Sequence, residues 1–345
     1  MASLTVPATH NMRTVARLAG VSSATVSRVI NGSPLVTEKT AERVRRVIAE
    51  LNFIPNPLAT SLKYGRSNTY GLIIPDLTNP FYPEFLLEFE RALVEIDHEV
   101  LLATTESSPS QLTRSVRRML TRRVDGVVLM ASEFDTRSIE PLFERRIPII
   151  TVDRRRTVRG CGDIAIDFES GYKQAVLYLK SLGHRNVAFI GGNEGLRTSQ
   201  VRLNAFRAAL KHASLPFNPN LVRVGDYRLA GGDAAMQSLL AQPRRPTAVV
   251  TANDLTAMGA MRALYAAHVP VPGQMSVIGF DGIMMTEAIQ PALTTISVSR
   301  QVMAQSCLKA LDRVKANRSK PGPLIRIDCA LVLRQSTGPS PKRRN

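Results

Sequence analysis

The stretch RTVARLAGVSSATVSRVIN, from Arg13 to Asn31, determines how the first part of this chain folds. Its first half places apolar residues at the i, i+3, i+4 spacing of one helix face, namely Val15, Leu18 and Ala19. Gly20 suits a helix C-terminal cap, and the Ser22 hydroxyl can accept an orphan backbone N–H of a following helix. That helix repeats the apolar spacing at Val26, Val29 and Ile30. The pattern predicts two short amphipathic helices joined by a tight turn.

The opposite face of the second helix carries small or polar side chains and one long cation, namely Ser23, Ala24, Ser27 and Arg28. A helix of this kind can lie close to base edges in the major groove of DNA. The arrangement is typical of a helix-turn-helix, with the second helix as the reader. An ordinary amphipathic helix pair in a globular domain has the same local pattern, so the rest of the chain must decide between the two.

A third helix completes this N-terminal module. Thr37 is in position to cap a helix that reaches Leu51, and its apolar face is formed by Val44, Val47, Ile48 and Leu51. The following segment, IPNPLATSLK at 54–63, pairs an N-cap residue, Asn56, with Pro57 at the first helical position. A helix of barely two turns does not persist alone in water, so it needs a partner to order it. A plain linker fits the segment as well.

The charge balance of the chain favours a polyanionic partner. Among 345 residues there are 45 Lys and Arg against 28 Asp and Glu, a net charge of +17. Residues 13–66 alone hold nine cations and three acids, a net charge of +6. A small module with this excess is typical of a binder of the phosphate backbone.

The remaining composition argues against several other classes of protein. Cys161, Cys307 and Cys329 are far apart, which argues against a zinc site or a disulfide framework and fits a reducing cytosol. The first twelve residues lack the basic start and apolar run of a signal peptide. No apolar run approaches the roughly 20 residues that cross a bilayer. We therefore expect a cytoplasmic, nucleoid-associated protein without a membrane partner.

From Tyr70 onward, short apolar strands alternate with helices. We predict strands at 71–75, 100–104, 126–130, 148–152, 164–166, 187–190, 221–224, 248–251, 277–280 and 325–327. We predict helices between them at 84–96, 111–122, 171–182, 201–212, 232–240 and 254–267. Such alternation is typical of parallel sheets covered on both faces, and the number of strands is too large for one ordinary sheet. The fold class that we predict is an N-terminal all-α helix-turn-helix headpiece followed by an α/β core of two lobes.

Together these motifs resemble the lactose-repressor/galactose-repressor family of bacterial transcription regulators along essentially the whole chain. Residues 14–31 carry its helix-turn-helix signature, and FIPNP with LATSL at 53–62 resembles its hinge. YGLIIPD at 70–76 and NPFY at 79–82 resemble the opening of its effector core. Five further motifs follow in family order: RVDG at 123–126, LGHR at 182–185, ND at 253–254, SVIGFD at 276–281 and PALTT at 291–295.

The resemblance implies a homodimeric repressor that binds a pseudo-palindromic operator and is controlled allosterically by a small molecule. Its core would resemble periplasmic sugar-binding proteins, with three chain crossovers and a sugar, sugar acid or related metabolite between the lobes. We expect a tail at 1–12, a DNA-binding domain at 13–54, a hinge at 55–66, an effector-binding and dimerisation core at 67–338 and a basic tail at 339–345. The last segment has no heptad repeat that would form a tetramerising coiled coil.

The resemblance also assigns the DNA-facing positions. In the headpiece they are Thr14, Ser22, Ser23, Ala24, Thr25, Ser27, Arg28 and Asn31. In the hinge, Leu62 matches a leucine that wedges into the minor groove, and Lys63 flanks it. Ser23 and Ala24 stand where some relatives carry larger side chains, so Arg28 is the only long base reader on the helix. Thr60 and Ser61 depart from the common arginine-bearing hinge, so we expect fewer phosphate contacts there.

For the effector, Arg202, Asn253 and Asp281 match ligand-contacting positions of the family, and Phe81 and Asp153 are further candidates for the cleft. An arginine fork, an amide and a carboxylate at strand ends would suit a hydroxyl-rich ligand. Arg154 could contact a carboxylate or phosphate group of the ligand. Two alternatives remain open: Asn253 could simply cap a helix, and the loop DRRR at 153–156 could be a solvated basic loop.

Two other function classes share parts of this pattern. A binding protein of a transport system would have the same core, but the headpiece and the missing signal peptide argue against it. An enzyme on a Rossmann-like core would need a phosphate loop, and GGNEG at 191–195 matches neither known glycine pattern. The five histidines are scattered, so we expect no catalytic triad, no metal and no cofactor.

Overall fold

The computed structural model of the chain describes residues 11–30, 32–53, 67–106, 108–131 and 134–341. Its contacts divide the chain into two compact units, Met1–Ser67 and Asn68–Asn345. Three of the predicted DNA-facing residues, Asn31, Leu62 and Lys63, lie outside the described residues, as does the predicted hinge at 55–66.

The first unit contains the predicted helix-turn-helix and its third helix. Helices α1 (Met12–Leu18), α2 (Ser23–Ile30) and α3 (Glu38–Glu50) surround one small core. Gly20 takes a φ of +62°, a left-handed conformation that glycine adopts without a steric penalty. The Ser22 hydroxyl accepts the backbone N–H of Thr25 at 3.1 Å, which confirms the predicted cap. The core consists of Val15, Ala16, Ala19, Val26, Val29, Ala41, Val44 and Val47.

Two details of this unit differ from the sequence prediction. Leu18 is 52% exposed, because the buried face of α1 runs through Val15, Ala16 and Ala19 and leaves Leu18 at its edge. Thr37 occupies the N-cap position of α3 but makes no side-chain cap bond. Its hydroxyl lies 3.0 Å from the Thr40 hydroxyl instead.

The second unit alternates strands and helices. Its strands are β1 (Thr69–Ile74), β2 (Glu99–Thr104), β3 (Gly126–Leu129), β4 (Ile149–Val152), β5 (Cys161–Ile166), β6 (Val187–Ile190), β7 (Val222–Arg223), β8 (Ala248–Thr251), β9 (Ser276–Asp281), β10 (Thr294–Val298), β11 (Leu324–Ile327) and β12 (Cys329–Val332). Its α-helices are α4 (Phe81–Val94), α5 (Pro109–Thr121), α6 (Glu140–Glu144), α7 (Phe168–Ser181), α8 (Arg197–His212), α9 (Leu229–Leu240), α10 (Asp254–Ala266), α11 (Met285–Ala288) and α12 (Arg300–Ala316).

These elements form two α/β lobes, as predicted. The sheet of the first lobe has the order β11-β5-β4-β3-β1-β2, and its strand pairs are all parallel. The sheet of the second lobe has the order β12-β10-β9-β8-β6-β7. It is parallel except where β12 pairs antiparallel with β10 at the edge. Apolar strands such as β3, β4 and β6 are buried along their whole length, because helices cover both faces of each sheet.

The chain passes between the lobes three times, as the resemblance implied. The passages follow β5, β10 and β11, since each of these strands is succeeded by an element of the other lobe. The carboxyl ends of β1, β3 and β4 in the first lobe and of β7, β8 and β9 in the second lead into the loops that form a cleft. In open α/β sheets, ligands bind at this end of the strands.

The prediction was wrong about several elements near the end of the chain. It contained neither the 17-residue helix α12 nor strands β10 and β12. The sequence of β10, TTISV, has too little apolar character to stand out, although it is almost fully buried. Strand β7 covers only Val222–Arg223, half of the predicted 221–224.

No described helix is both long and apolar enough to cross a membrane.

Candidate functional site

The predicted DNA-reading residues lie mostly on the accessible side of the headpiece. Ser22, Ala24 and Arg28 are exposed. Thr14, Ser23 and Thr25 are half-buried, and the Thr25 hydroxyl lies 3.0 Å from that of Ser22. Ser27 differs from the rest of this set, because its side chain is only 5% exposed. Within the described ranges, Arg28 makes no ion pair, so its guanidinium group is available to a ligand.

A cavity of about 280 Å³ lies between the two lobes of the core. Five of the six predicted effector residues line it: Phe81, Asp153, Arg202, Asn253 and Asp281. They come from helix α4, the loop after β4, helix α8, the loop after β8 and the end of β9. The topology therefore brings together residues that are up to 200 positions apart in the sequence.

Arg202 is the central cation of this cavity. Its guanidinium carbon lies 4.3 Å from the ring centroid of Phe168 and 4.6 Å from that of Phe280. The cation therefore makes cation–π interactions with both rings. One terminal nitrogen donates to the Ala252 carbonyl at 2.6 Å, and the other lies 4.0 Å from the Asp281 carboxylate. Among the described residues, the Nε atom is buried and has no hydrogen-bond partner. A buried arginine with an unused donor is suited to binding a ligand oxygen.

Asp281 faces Arg202 from the end of β9. Burial raises the pKa of its carboxyl group to about 6, and the positive charges of Arg202 and Arg300 oppose that rise. Its φ of +115° is unusual for a residue with a side chain. Arg300 supports this backbone by donating to the carbonyl groups of Asp281 at 2.8 Å and Gly282 at 2.6 Å. The carboxylate is thus aimed into the cavity by a fixed main chain.

Asn253 acts as a helix cap in this structure. Its side-chain oxygen accepts from the backbone N–H of Thr256 at 3.0 Å and from the Thr256 hydroxyl at 2.6 Å. Its amide nitrogen donates to the Tyr227 carbonyl at 2.9 Å. Since an amide nitrogen has two hydrogens, one remains for a ligand. The amide oxygen of Asn253 therefore caps the helix, as one of the two alternatives predicted. The predicted ligand contact would use the second hydrogen of the amide nitrogen.

Asp153 supplies a second carboxyl group to the cavity. One of its oxygens accepts the backbone N–H of Ile166 at 2.8 Å. Burial raises the pKa of this group to about 7, although that hydrogen bond and the positive charge of Arg202 lower it. Phe81, which is 6% exposed, adds an apolar wall and makes an edge-to-face contact with Tyr82 at 5.7 Å.

Arg154 does not line the cavity, in contrast to the prediction. Its guanidinium group lies 4.1 Å from the ring centroid of Phe134 and donates to the Thr136 hydroxyl at 3.2 Å. The side chain points away because its backbone N–H is held by the Asp163 carboxylate at 3.2 Å, as is that of Arg155 at 2.9 Å. The basic loop at 153–156 is therefore anchored beside the cleft, and of its four residues only Asp153 lines the cavity.

Sequence reasoning missed several residues that line the cavity. Asp76, Tyr82, Asp226 and Tyr227 all contribute to its wall. Asp76 and Asp226 follow strands β1 and β7 closely, so the rule that places sites at the carboxyl ends of strands could have identified them. The Asp76 carboxylate accepts from the Thr78 and Asn79 backbone, and that of Asp226 accepts from the Arg228 and Gly231 backbone.

The acidic and sulfur-containing residues do not form a metal centre in the described part of the chain. No group of three or more His, Cys, Asp or Glu side chains lies in a position to hold a metal ion there. The three cysteines are free and buried, and burial raises the pKa of each thiol. The chemistry of the cavity therefore rests on four carboxyl groups, the Asn253 amide, the guanidinium groups of Arg202 and Arg228, and an aromatic lining.

Comparison with protein families gives two matches, one in the N-terminal unit and one within the core. Residues 11–56 match the model for bacterial regulatory proteins of the lacI family. Residues 176–337 match the model for a periplasmic binding protein-like domain.

Full-length relatives and solved structures agree with these matches. The chain is 36% identical over 303 residues to the ribose operon repressor of Escherichia coli K12, covering 87% of this chain and 91% of the relative. It resembles the crystal structure of the lac repressor dimer bound to operator and the anti-inducer ONPF, with a TM-score of 0.84, 26% identity and 95% and 99% of the two chains covered. It also resembles a lacI-family regulator of Enterococcus faecium with bound ribose, with a TM-score of 0.69, 28% identity and 79% and 99% covered.

Proposed function

This chain belongs to the lacI family of bacterial regulatory proteins, and we propose that it represses transcription as an operator-binding homodimer under the control of a neutral sugar. Family membership makes it a transcriptional regulator rather than an enzyme or a transport binding protein. Because its partner is chromosomal DNA, we assign it to the nucleoid in the cytoplasm. We assign operator recognition to residues 13–54, the hinge to residues 55–66 and effector binding to the core at residues 67–338. Residues 1–12 and 339–345 are the two tails.

The headpiece supports operator recognition through α2. This helix is short, has an accessible side of small side chains and carries one arginine that has no ion pair within the described residues. We assign Thr14, Ser22, Ser23, Ala24, Thr25, Arg28 and Asn31 to the DNA contact. Ser27 belongs to the same set and would contact DNA only through its 5% exposed surface. Leu62 and Lys63 are assigned to the minor groove by resemblance.

The pairing of Arg202 with Asp281 is the observation that carries the sugar assignment. Four carboxyl groups, of Asp76, Asp153, Asp226 and Asp281, line the cavity, together with Arg202 and Arg228. An anionic ligand would be repelled by this excess of acidic groups. A sugar hydroxyl, in contrast, can donate to a carboxylate and accept from a guanidinium group. This favours a neutral polyol over a sugar acid or a sugar phosphate.

The size of the cavity and the relatives narrow the ligand further. A volume of about 280 Å³ is at the small end of ligand pockets and suits a monosaccharide. The relative from Escherichia coli is a ribose operon repressor, and the solved regulator from Enterococcus faecium holds ribose. We therefore propose a pentose or hexose as the effector, with ribose as the first candidate.

A thermal-shift screen of the full-length protein against neutral sugars, sugar acids and sugar phosphates tests this proposal. A ligand that binds only the folded core raises its melting temperature by mass action. We expect a neutral monosaccharide to raise it and to change operator affinity, typically by about 5–150-fold. The proposal fails if charged sugars bind while neutral ones do not.

Two matched variants locate the site. Asp281→Asn keeps the size of the side chain but removes the charge beside Arg202, so the sugar-dependent shift should be lost. Asp233→Asn makes the same chemical change outside the cavity, where the carboxylate pairs with Arg262, and should leave the shift intact. An unchanged ligand response in Asp281→Asn would contradict the assignment of this cleft.

A further inference from the structure

A second cavity, which we call the basic pocket, lies in the first lobe at the opposite end of its sheet. It has a volume of about 470 Å³. Its lining combines three arginines, Arg146, Arg159 and Arg318, with the apolar side chains of Phe143, Ile147 and Val314. It lies where β4 and β5 begin, whereas the sugar cleft lies where they end. Four residues of β4 therefore separate the two cavities by about 13 Å.

The positive charges of the basic pocket are not neutralised within the described chain. No acidic residue of the described ranges lines the pocket. The side chains of Arg146 and Arg318 make neither hydrogen bonds nor ion pairs there, and Arg159 uses only its Nε atom, which donates to the Arg318 carbonyl at 3.3 Å. Like charges that line one pocket repel one another, and a bound anion would reduce that repulsion.

The main chain around the pocket fixes the points from which the three arginines, whose side chains are exposed, extend. Arg146 adopts a φ of +54° at the turn that ends α6, a position that usually takes glycine or asparagine. Gly160 has a φ of +78° beside the Phe143 ring, which its Cβ would approach to 3.6 Å if it had one. Arg159 also forms a β-bridge with Pro321, which ties its segment to the one that carries Arg318. The pocket is thus built from three segments that the fold joins.

We propose that the basic pocket binds an organic phosphate whose apolar part packs on Phe143, Ile147 and Val314. A phosphate group offers three acceptor oxygens and up to two negative charges to several guanidinium groups, which a single carboxylate cannot match. The half-buried and buried floor would accept an apolar group attached to that phosphate. The ligand differs in chemistry from the neutral sugar of the cleft, so the core has two separate small-molecule sites.

Calorimetric titration of the full-length protein with phenyl phosphate tests this proposal, because this probe joins one phosphate to one apolar ring. We expect it to bind with submillimolar affinity and about tenfold more tightly than inorganic phosphate, with phenol alone too weak to measure. Arg159→Ala and Arg318→Ala should each weaken binding about tenfold. Arg145→Ala removes the same charge from an exposed neighbour outside the pocket and should change binding less than twofold.

Several results would overturn the proposal. Equal weakening by all three variants would show a diffuse charge effect rather than a site. Equal affinities for phenyl phosphate and inorganic phosphate would show that the apolar floor is not used. Loss of phenyl phosphate binding in Asp281→Asn would place the probe in the sugar cleft. Absence of probe binding, together with weaker binding of a non-operator duplex by Arg159→Ala and Arg318→Ala, would assign these arginines to DNA phosphates.

Discussion

Replacing Glu84 by Gln should loosen the connection between the lobes of the core. Glu84 lies near the start of α4 in the first lobe, and one carboxylate oxygen accepts the backbone N–H of Met284 in the second lobe at 2.9 Å. The other oxygen pairs with Arg300, which begins α12 where the chain crosses between the lobes. Arg300 in turn donates to the Asp281 and Gly282 carbonyl groups. One carboxylate thus connects both lobes and the main chain of a cleft residue.

The magnitude follows from the burial of this ion pair. The side chains of Arg300 and Glu84 are 10% and 21% exposed, so water screens the pair only weakly. Charge-assisted hydrogen bonds contribute about 1.5–3 kcal/mol each, and Gln can still accept from Met284 but cannot neutralise Arg300. We therefore expect Glu84→Gln to reduce the free energy of unfolding by about 1.5–3 kcal/mol, and the affinity for the effector sugar to change because Asp281 loses support.

Glu88→Gln provides a matched control on the same helix. It removes a carboxylate that pairs with Arg91 at 2.6 Å, where the side chains are 24% and 64% exposed. Exposed pairs of this kind contribute about 0.2–1 kcal/mol. Urea denaturation and sugar titration of the wild type and both variants form the assay. If Glu84→Gln and Glu88→Gln had the same effect on unfolding, the reasoning about an interlobe connection would be refuted.

Three further predictions concern the DNA contacts and the titration of the cleft. Arg28→Ala should cost about 1–3 kcal/mol of operator binding and reduce base preference at one position per half-site, as measured by gel shift on a panel of mutated operators. Uniform weakening on every sequence would show a phosphate contact instead. Leu62→Ala should reduce operator bending without changing sugar affinity; unchanged bending in a circular-permutation gel would reject the wedge. Burial raises the pKa of Asp153 from 3.8 to about 7, so the folded core keeps a proton that the unfolded chain releases. Stability should therefore fall as the pH rises across that interval, and Asp153→Asn should flatten the dependence in urea melts; an unaltered slope would contradict the role of burial.

Features that depend on local spacing could be predicted from the amino-acid sequence alone. Apolar residues three and four positions apart identified α1, α2 and α3, and a serine hydroxyl three residues before the N–H that it accepts identified the cap of α2. Continuous apolar runs identified buried strands such as β6 and β8, whose predicted and observed bounds are the same. Each of these signals lies within a few residues, where helix and strand geometry fix which side chains share a face.

Contacts between residues that are distant in the sequence depend on how the whole chain packs. Arg202 is buried between Phe168 and Phe280 beside Asp281, and no local pattern fixes such a pairing across 79 positions. Arg154 is the next residue after Asp153, which lines the cleft. The backbone N–H of Arg154 donates to Asp163, however, and its side chain points away from the cleft. Strand β10 is polar in sequence but buried, because β9 and β12 enclose it. Burial, ion pairing and side-chain direction depend on long-range contacts, and those exist only once the strands and helices have packed together.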